Sequence, residues 1–152
     1  MTAAAALAIR MTCQPPRHGW MGVTLTVGTQ VVEIDTSDVP NNPVADLLDA
    51  LDLATYGTPS RVWWHLEPDG YFMYFTPDGD QVHFRIDFAP DSDSTSARVG
   101  TVAETSGTRA QVLLPFWRFV RNFQSRGYTE PHWPPADFER IDVVKARIRQ
   151  PG

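Results

Sequence analysis

From Trp20 the chain alternates between apolar and polar positions, with Met21, Val23, Leu25 and Val27 on one side and Gly22, Thr24 and Thr26 on the other. Period-two alternation of this kind marks a half-buried strand. Gly28-Thr29 is a Gly-X pair suited to a two-residue type II′ turn, and Gln30 to Asp35 returns as a second strand. The period then changes. Val44, Leu47, Leu48 and Leu51 follow the i, i+3, i+4, i+7 rule of a helix with one buried stripe. Asn42 is its cap, Pro43 its first helical residue and Gly57 its stop. Asp46, Asp49 and Asp52 fall on the opposite side as an acidic ridge.

The segment 62–88 carries the densest signal. The tripeptide Pro-Asp-Gly occurs at 68–70 and again at 77–79, and each copy has the chemistry of a three-residue hairpin loop closed by a left-handed glycine. Treating both copies alike predicts a three-stranded meander in which Glu67 faces Tyr71 and Thr76 faces Asp80. One face then holds the rows Leu66–Phe72–Phe84 and Trp64–Tyr74–Val82, extended by Val62, Ile86 and Phe88, and is the expected core. The other holds Trp63–Phe75–Gln81, His65–Met73–His83 and Glu67–Tyr71–Arg85. A register slip of one residue would exchange these faces.

Beyond a polar loop at 90–96, Arg98 to Glu104 and Thr108 to Leu114 are expected as strands around a Ser106-Gly107 turn. Pro115 is expected to open a second helix that buries Phe116, Phe119, Val120 and Phe123 and stops at Gly127. The stretch 128–135 is too rich in proline for regular structure. A last helix over about 136–149 is expected to bury Phe138, Ile141, Val144 and Ile148. Residues 1–18, ending in Gln14-Pro-Pro-Arg-His18, are expected as a flexible N-terminal arm, and 19–152 as a single domain. The fold class expected is α+β: an antiparallel sheet of about five to seven strands with about three helices packed mainly on one face.

Composition changes this picture in two ways. The chain has 152 residues, with five Trp, eight Phe and four Tyr, so its core or a contact surface is built from large flat side chains. Charge is also divided: residues 30–104 hold 14 acids and 3 bases, while 105–152 hold 4 acids and 8 bases, within a net charge of −5. Such a field repels nucleic acid and attracts a basic protein partner. The apolar run after Met1 is a poor signal peptide, since no base precedes it and Arg10 follows it. No run approaches the ~20 apolar residues of a membrane span. The lone Cys13 suggests no disulfide framework, and the cytoplasm is the expected compartment.

The second meander face is the foremost candidate site. There Trp63, Tyr71, Met73 and Phe75 stand among His65, Glu67, His83 and Arg85, residue types enriched where proteins bind partners. The plainer reading is that a helix covers the aromatics and the charges form a rim. His65 and His83 would lie about 10 Å apart across the central strand, which is awkward for two ligands of one zinc ion, and no third ligand is evident. No metal, cofactor or catalytic set is therefore expected. The Asp46–Asp49–Asp52 ridge is a second candidate, as a docking patch for the basic partner. Trp117, Arg118 and Arg121 with His132 and Trp133 make a smaller cationic-aromatic group. The Glu104/Arg109 vicinity shows no nucleophile–base pattern. The expected function is a non-enzymatic protein-binding module of bacterial type, such as a toxin-neutralising immunity protein. Two alternatives stand beside it. One is a small-molecule binder or hydrolase with His65 or His83 as base and a deep cavity above Met73; the other is a subunit of a larger assembly.

Overall fold

A computed structural model describes residues 7–93, 100–126 and 138–150. It contains one seven-stranded antiparallel sheet in sequential order and three helices. The strands are β1 (Ile9–Cys13), β2 (Trp20–Val27), β3 (Gln30–Ser37), β4 (Ser60–His65), β5 (Gly70–Asp78), β6 (Gln81–Ala89) and β7 (Gly100–Thr108). Helix α1 (Pro43–Thr55) lies between β3 and β4, while α2 (Arg109–Ser125) and α3 (Phe138–Arg149) follow the sheet. The α+β class expected from the sequence is the class observed.

Ile9–Cys13, assigned by sequence to the N-terminal arm, is strand β1. It pairs with β2 from Ile9↔Val27 to Cys13↔Val23. Ile9 and Met11 are buried while Arg10 and Thr12 point outward, the same period of two that marks β2. The breakers that suggested an arm instead build the β1–β2 connection, where His18 and Gly19 both take left-handed φ values of 52° and 83°. The β2–β3 hairpin forms as expected around Gly28-Thr29, with Val27 paired to Gln30. Helix α1 also forms as expected: the Asn42 side chain accepts from the N–H groups of Val44 and Ala45, and Val44, Leu47, Leu48 and Leu51 are buried.

The meander departs from its expected register. β4 pairs with β5 as Trp64↔Tyr71 and His65↔Gly70, and β5 with β6 as Asp78↔Gln81. Each pairing is displaced by three residues from the expected one. An odd displacement on both sides turns the central strand over while leaving β4 and β6 as expected. The cause is that the two Pro-Asp-Gly copies do different things. Gly70 is the first residue of β5 and the loop before it is Leu66–Asp69, closed by the Leu66 N–H donating to the Asp69 carbonyl at 2.7 Å. In the second copy Pro77 and Asp78 belong to β5, and the turn is Gly79-Asp80 with φ +62° at Gly79. That is the same Gly-X chemistry as Gly28-Thr29.

The inner face thus collects Val62, Trp64, Met73, Phe75, Val82, Phe84 and Ile86, all at most 2% exposed. Helix α2 packs across it: the Phe116 ring stands perpendicular to Phe75 at 5.1 Å and 4.8 Å from Phe84, and Phe119 meets Trp64 edge-on. This helix starts six residues earlier than expected. Thr108 accepts from the Gln111 N–H while the Gln111 side chain accepts from the Thr108 N–H, a reciprocal cap. The expected strand over Thr108 to Leu114 is therefore the first turns of α2, with Pro115 inside it, and Ser106-Gly107 lies within β7. Helix α3 buries Ile141, Val144 and Ile148 as expected and is tied to α2 by Trp117, whose Nε1 donates to the Ile141 carbonyl at 2.8 Å. Gly127, His132 and Trp133 lie outside the described residues, as does the Phe138 side chain.

Candidate functional site

The face of β4–β7 that points away from the helices carries its own aromatic system. Arg61, Trp63 and His65 project from β4, Phe72 and Tyr74 from β5, and His83, Arg85 and Asp87 from β6. The pairings Arg61↔Tyr74↔Arg85↔Glu104 and Trp63↔Phe72↔Asp87 make two rows of them. Trp63 and Phe72 pack with centroids 4.6 Å apart and rings tilted by 48°, and bury each other with Ala89 into a small satellite core. Arg61 lies over the Phe72 ring at 5.0 Å and Arg85 over Tyr74 at 4.5 Å. Each such cation–ring contact is worth about 0.5–2 kcal/mol and holds a long side chain in one place. The Trp63 indole N–H also donates to His65 Nδ1 at 3.0 Å, which assigns the ring's hydrogen to Nε2.

Of the residues singled out in the sequence, Trp63, His65, His83 and Arg85 share this outer face. Met73 and Phe75 do not. They are fully buried under the helices, because β5 is turned over relative to expectation. Tyr71 likewise belongs to the inner side, where it packs edge-on against Phe88 at 5.5 Å. Burial, helped by the nearby Asp69 carboxylate, pushes its phenol above the ordinary value of 10.0. Glu67 sits in the β4–β5 loop rather than in a strand row. Phe72 and Tyr74, expected in the core, take the outward places. The signal for them was the Gly-X pair at Gly79-Asp80, which fixes the β5–β6 register once it is recognised.

The acidic ridge on α1 is occupied from within. Asp49 pairs with Arg140 at 2.5 Å, Asp52 with Arg147 at 2.5 Å and with Arg140 at 3.8 Å, and Asp46 accepts from the Asn41 amide at 2.8 Å. On the outer face Asp87 is 4% exposed, forms an ion pair with Arg85 whose Nε lies 3.1 Å away, and accepts a hydrogen bond from the Thr101 hydroxyl at 2.9 Å. A buried carboxylate needs such partners. Arg61 has no carboxylate partner among the described residues.

One polar group was missed from the sequence. His83 Nδ1 lies 2.6 Å from Ser106 Oγ, and its Nε2 lies 2.9 Å from Glu104 Oε2. In the sequence Ser106-Gly107 resembles a turn, which hides any nucleophile–base pattern near Glu104; within β7 Ser106 stands directly opposite His83.

Protein-family models, curated proteins and solved structures offer no match to this chain. The site stands on its own geometry. An open depression of about 340 Å³ lies on the outer face, lined by Pro59, Ser60, Arg61, Tyr74 and Thr76. A second cavity, about 540 Å³, lies away from that face between the start of α2 and the end of α3, with Leu114 and Ile148 as its apolar floor and Arg109 and Arg149 among its lining. Among the described residues no three His, Cys, Asp or Glu side chains converge as metal ligands, and no helix is long and apolar enough to cross a membrane.

Proposed function

We propose that this chain is a protein-binding module and that its contact surface is the outer face of β4–β7, centred on Arg61 and Tyr74. The observation that carries this is the ladder of Arg61, Trp63, Phe72, Tyr74 and Arg85 on the sheet face opposite the helices, pinned by tilted ring–ring and cation–ring contacts. Side chains already held in one conformation lose little entropy on association, and Tyr and Arg, the types that Tyr74 and Arg61 supply, are among those that dominate binding energy at interfaces. Strands of six, nine, nine and nine residues present roughly 500 Å² in projection, the size of a small interface beside the ~800 Å² per partner of a standard one. The shallow depression there suits an inserted side chain of a partner better than an enclosed small molecule.

The partner we propose is a basic protein, with inhibition of a bacterial toxin as the concrete form. Support comes from the net charge of −5 and from Glu67, Asp69, Asp91 and Asp93. The pairing Gly70↔Ala89 brings the two loops that carry them to one end of the face. Clustered carboxylates there speed the approach of a basic surface. The test is affinity isolation from the native host with wild type beside Arg61→Ala and Tyr74→Ala. One stoichiometric partner is expected, with each substitution weakening its binding about tenfold or more while the circular dichroism shows both variants folded. A partner that binds both variants as tightly as wild type would remove the outer face from the interface; no partner at all would end the reading.

A further inference from the structure

Three polar side chains at the β6–β7 edge form a relay for which the protein-binding reading has no use. We propose that Ser106 is a nucleophile activated by His83 and Glu104, and that it accepts an acyl group from activated aryl esters. Ser106 and Glu104 are two residues apart on β7, and His83 is the residue paired with Ser106 on β6, so the strand ladder itself sets their spacing. The sense of the two bonds follows from what each group can do. An ionised carboxylate only accepts, so Glu104 takes the hydrogen on Nε2 at 2.9 Å, and Nδ1 of the neutral ring is left as an acceptor. The Ser106 hydroxyl then donates to Nδ1 across 2.6 Å. Nucleophile, base and orienting carboxylate stand in the order that raises the reactivity of a hydroxyl.

Access and surroundings agree with this assignment. Ser106 is exposed on an edge strand. On its other side His83 pairs with Thr76, a residue that lines the open depression, so an ester approaches Ser106 across an open stretch of the sheet face. In the reaction Ser106 Oγ bonds to the ester carbonyl carbon while its proton passes to His83 Nδ1. The bond from that carbon to the aryl oxygen breaks, and the departing phenolate takes the proton from His83. The acyl group stays on Ser106 as an ester until water removes it. Glu104 is a positioning residue that fixes the ring's tautomer. With 39% of the His83 and 56% of the Glu104 side chain exposed, water weakens the electrostatic help, which restricts the reaction to esters with good leaving groups.

The full chain treated with p-nitrophenyl acetate tests this by mass spectrometry of the intact protein and of its peptides. One acetyl group is expected on Ser106, absent in Ser106→Ala. Acetylation of Ser106 is expected to slow about 100-fold in both His83→Ala and His83→Gln, and by a smaller factor in Glu104→Gln, with the circular dichroism of all variants unchanged. No acetyl at Ser106 in wild type, or acetylation of either His83 variant at the wild-type rate, would overturn the proposal. Neither result touches partner binding through Arg61 and Tyr74.

Discussion

A Cβ at Gly70 would sit 2.3 Å from the Trp64 carbonyl oxygen and 2.7 Å from the Trp63 indole. Only glycine therefore lets β5 begin opposite His65 with the indole folded over its first residue. This is a close-approach glycine, whereas Gly79, nine positions later in the same tripeptide, is a turn glycine with nothing within 4 Å of its would-be Cβ. Identical triplets hide that difference in the sequence, which is why the candidate face was half legible. Trp63, His65, His83 and Arg85 sit on strands whose facing survived the error, and Met73, Phe75 and Tyr71 sit on the one strand that did not. Tyr71 gives a test at this scale. Its phenol is held neutral by burial first and by Asp69 second, so the folded state keeps its proton to higher pH than the unfolded chain does. The stabilisation this brings is present below pH 10.0 and is lost as pH rises through the folded-state value. Chemical denaturation of Tyr71→Phe beside wild type is expected to show a shallower loss of stability above that pH. Parallel curves would mean that the phenol has no part in alkaline unfolding.

At the scale of elements, the helix stripes and hairpins whose turn residue was unambiguous were legible: β2, β3, α1 and the buried side of α3 follow directly from spacing. The start of α2 is hidden in the sequence because Val112-Leu113-Leu114 resembles a buried strand and Pro115 resembles a first helical residue. The competing signal was the Thr108-x-x-Gln111 box, a local hydrogen-bond exchange that outweighs the propensity of three apolar residues. Removing it has a definite cost. Thr108→Ala is expected to destabilise the protein by about 1 kcal/mol in urea or guanidinium unfolding with an unchanged denaturant slope. A loss near zero would assign the start of α2 to the burial of Val112 and Leu113 alone.

At the scale of the whole molecule, charges that look like an advertisement in the sequence are spent on internal ties. The acids of α1 and the bases of α3 are 88 or more positions apart along the chain yet meet as Asp49–Arg140 and Asp52–Arg147. Nothing local in the sequence announces a contact at that separation. Asp52→Asn removes the attraction to both Arg140 and Arg147 and is expected to cost about 1 kcal/mol in low salt, less as ionic strength rises. Thermal melts at two salt concentrations measure it, and a salt-independent difference would point to lost packing instead of lost charge.

The sheet also closes on itself more than seven strands require. The Leu7 N–H, just ahead of β1, donates to the Thr105 hydroxyl of β7 at 3.0 Å, and α2 lies against both of these outer strands. The two borders where a sheet is most open to recruiting a stray strand are thus turned toward each other and sheltered by the same helix. For a chain this rich in Phe and Trp, that arrangement leaves less open strand edge on which a second chain could pair.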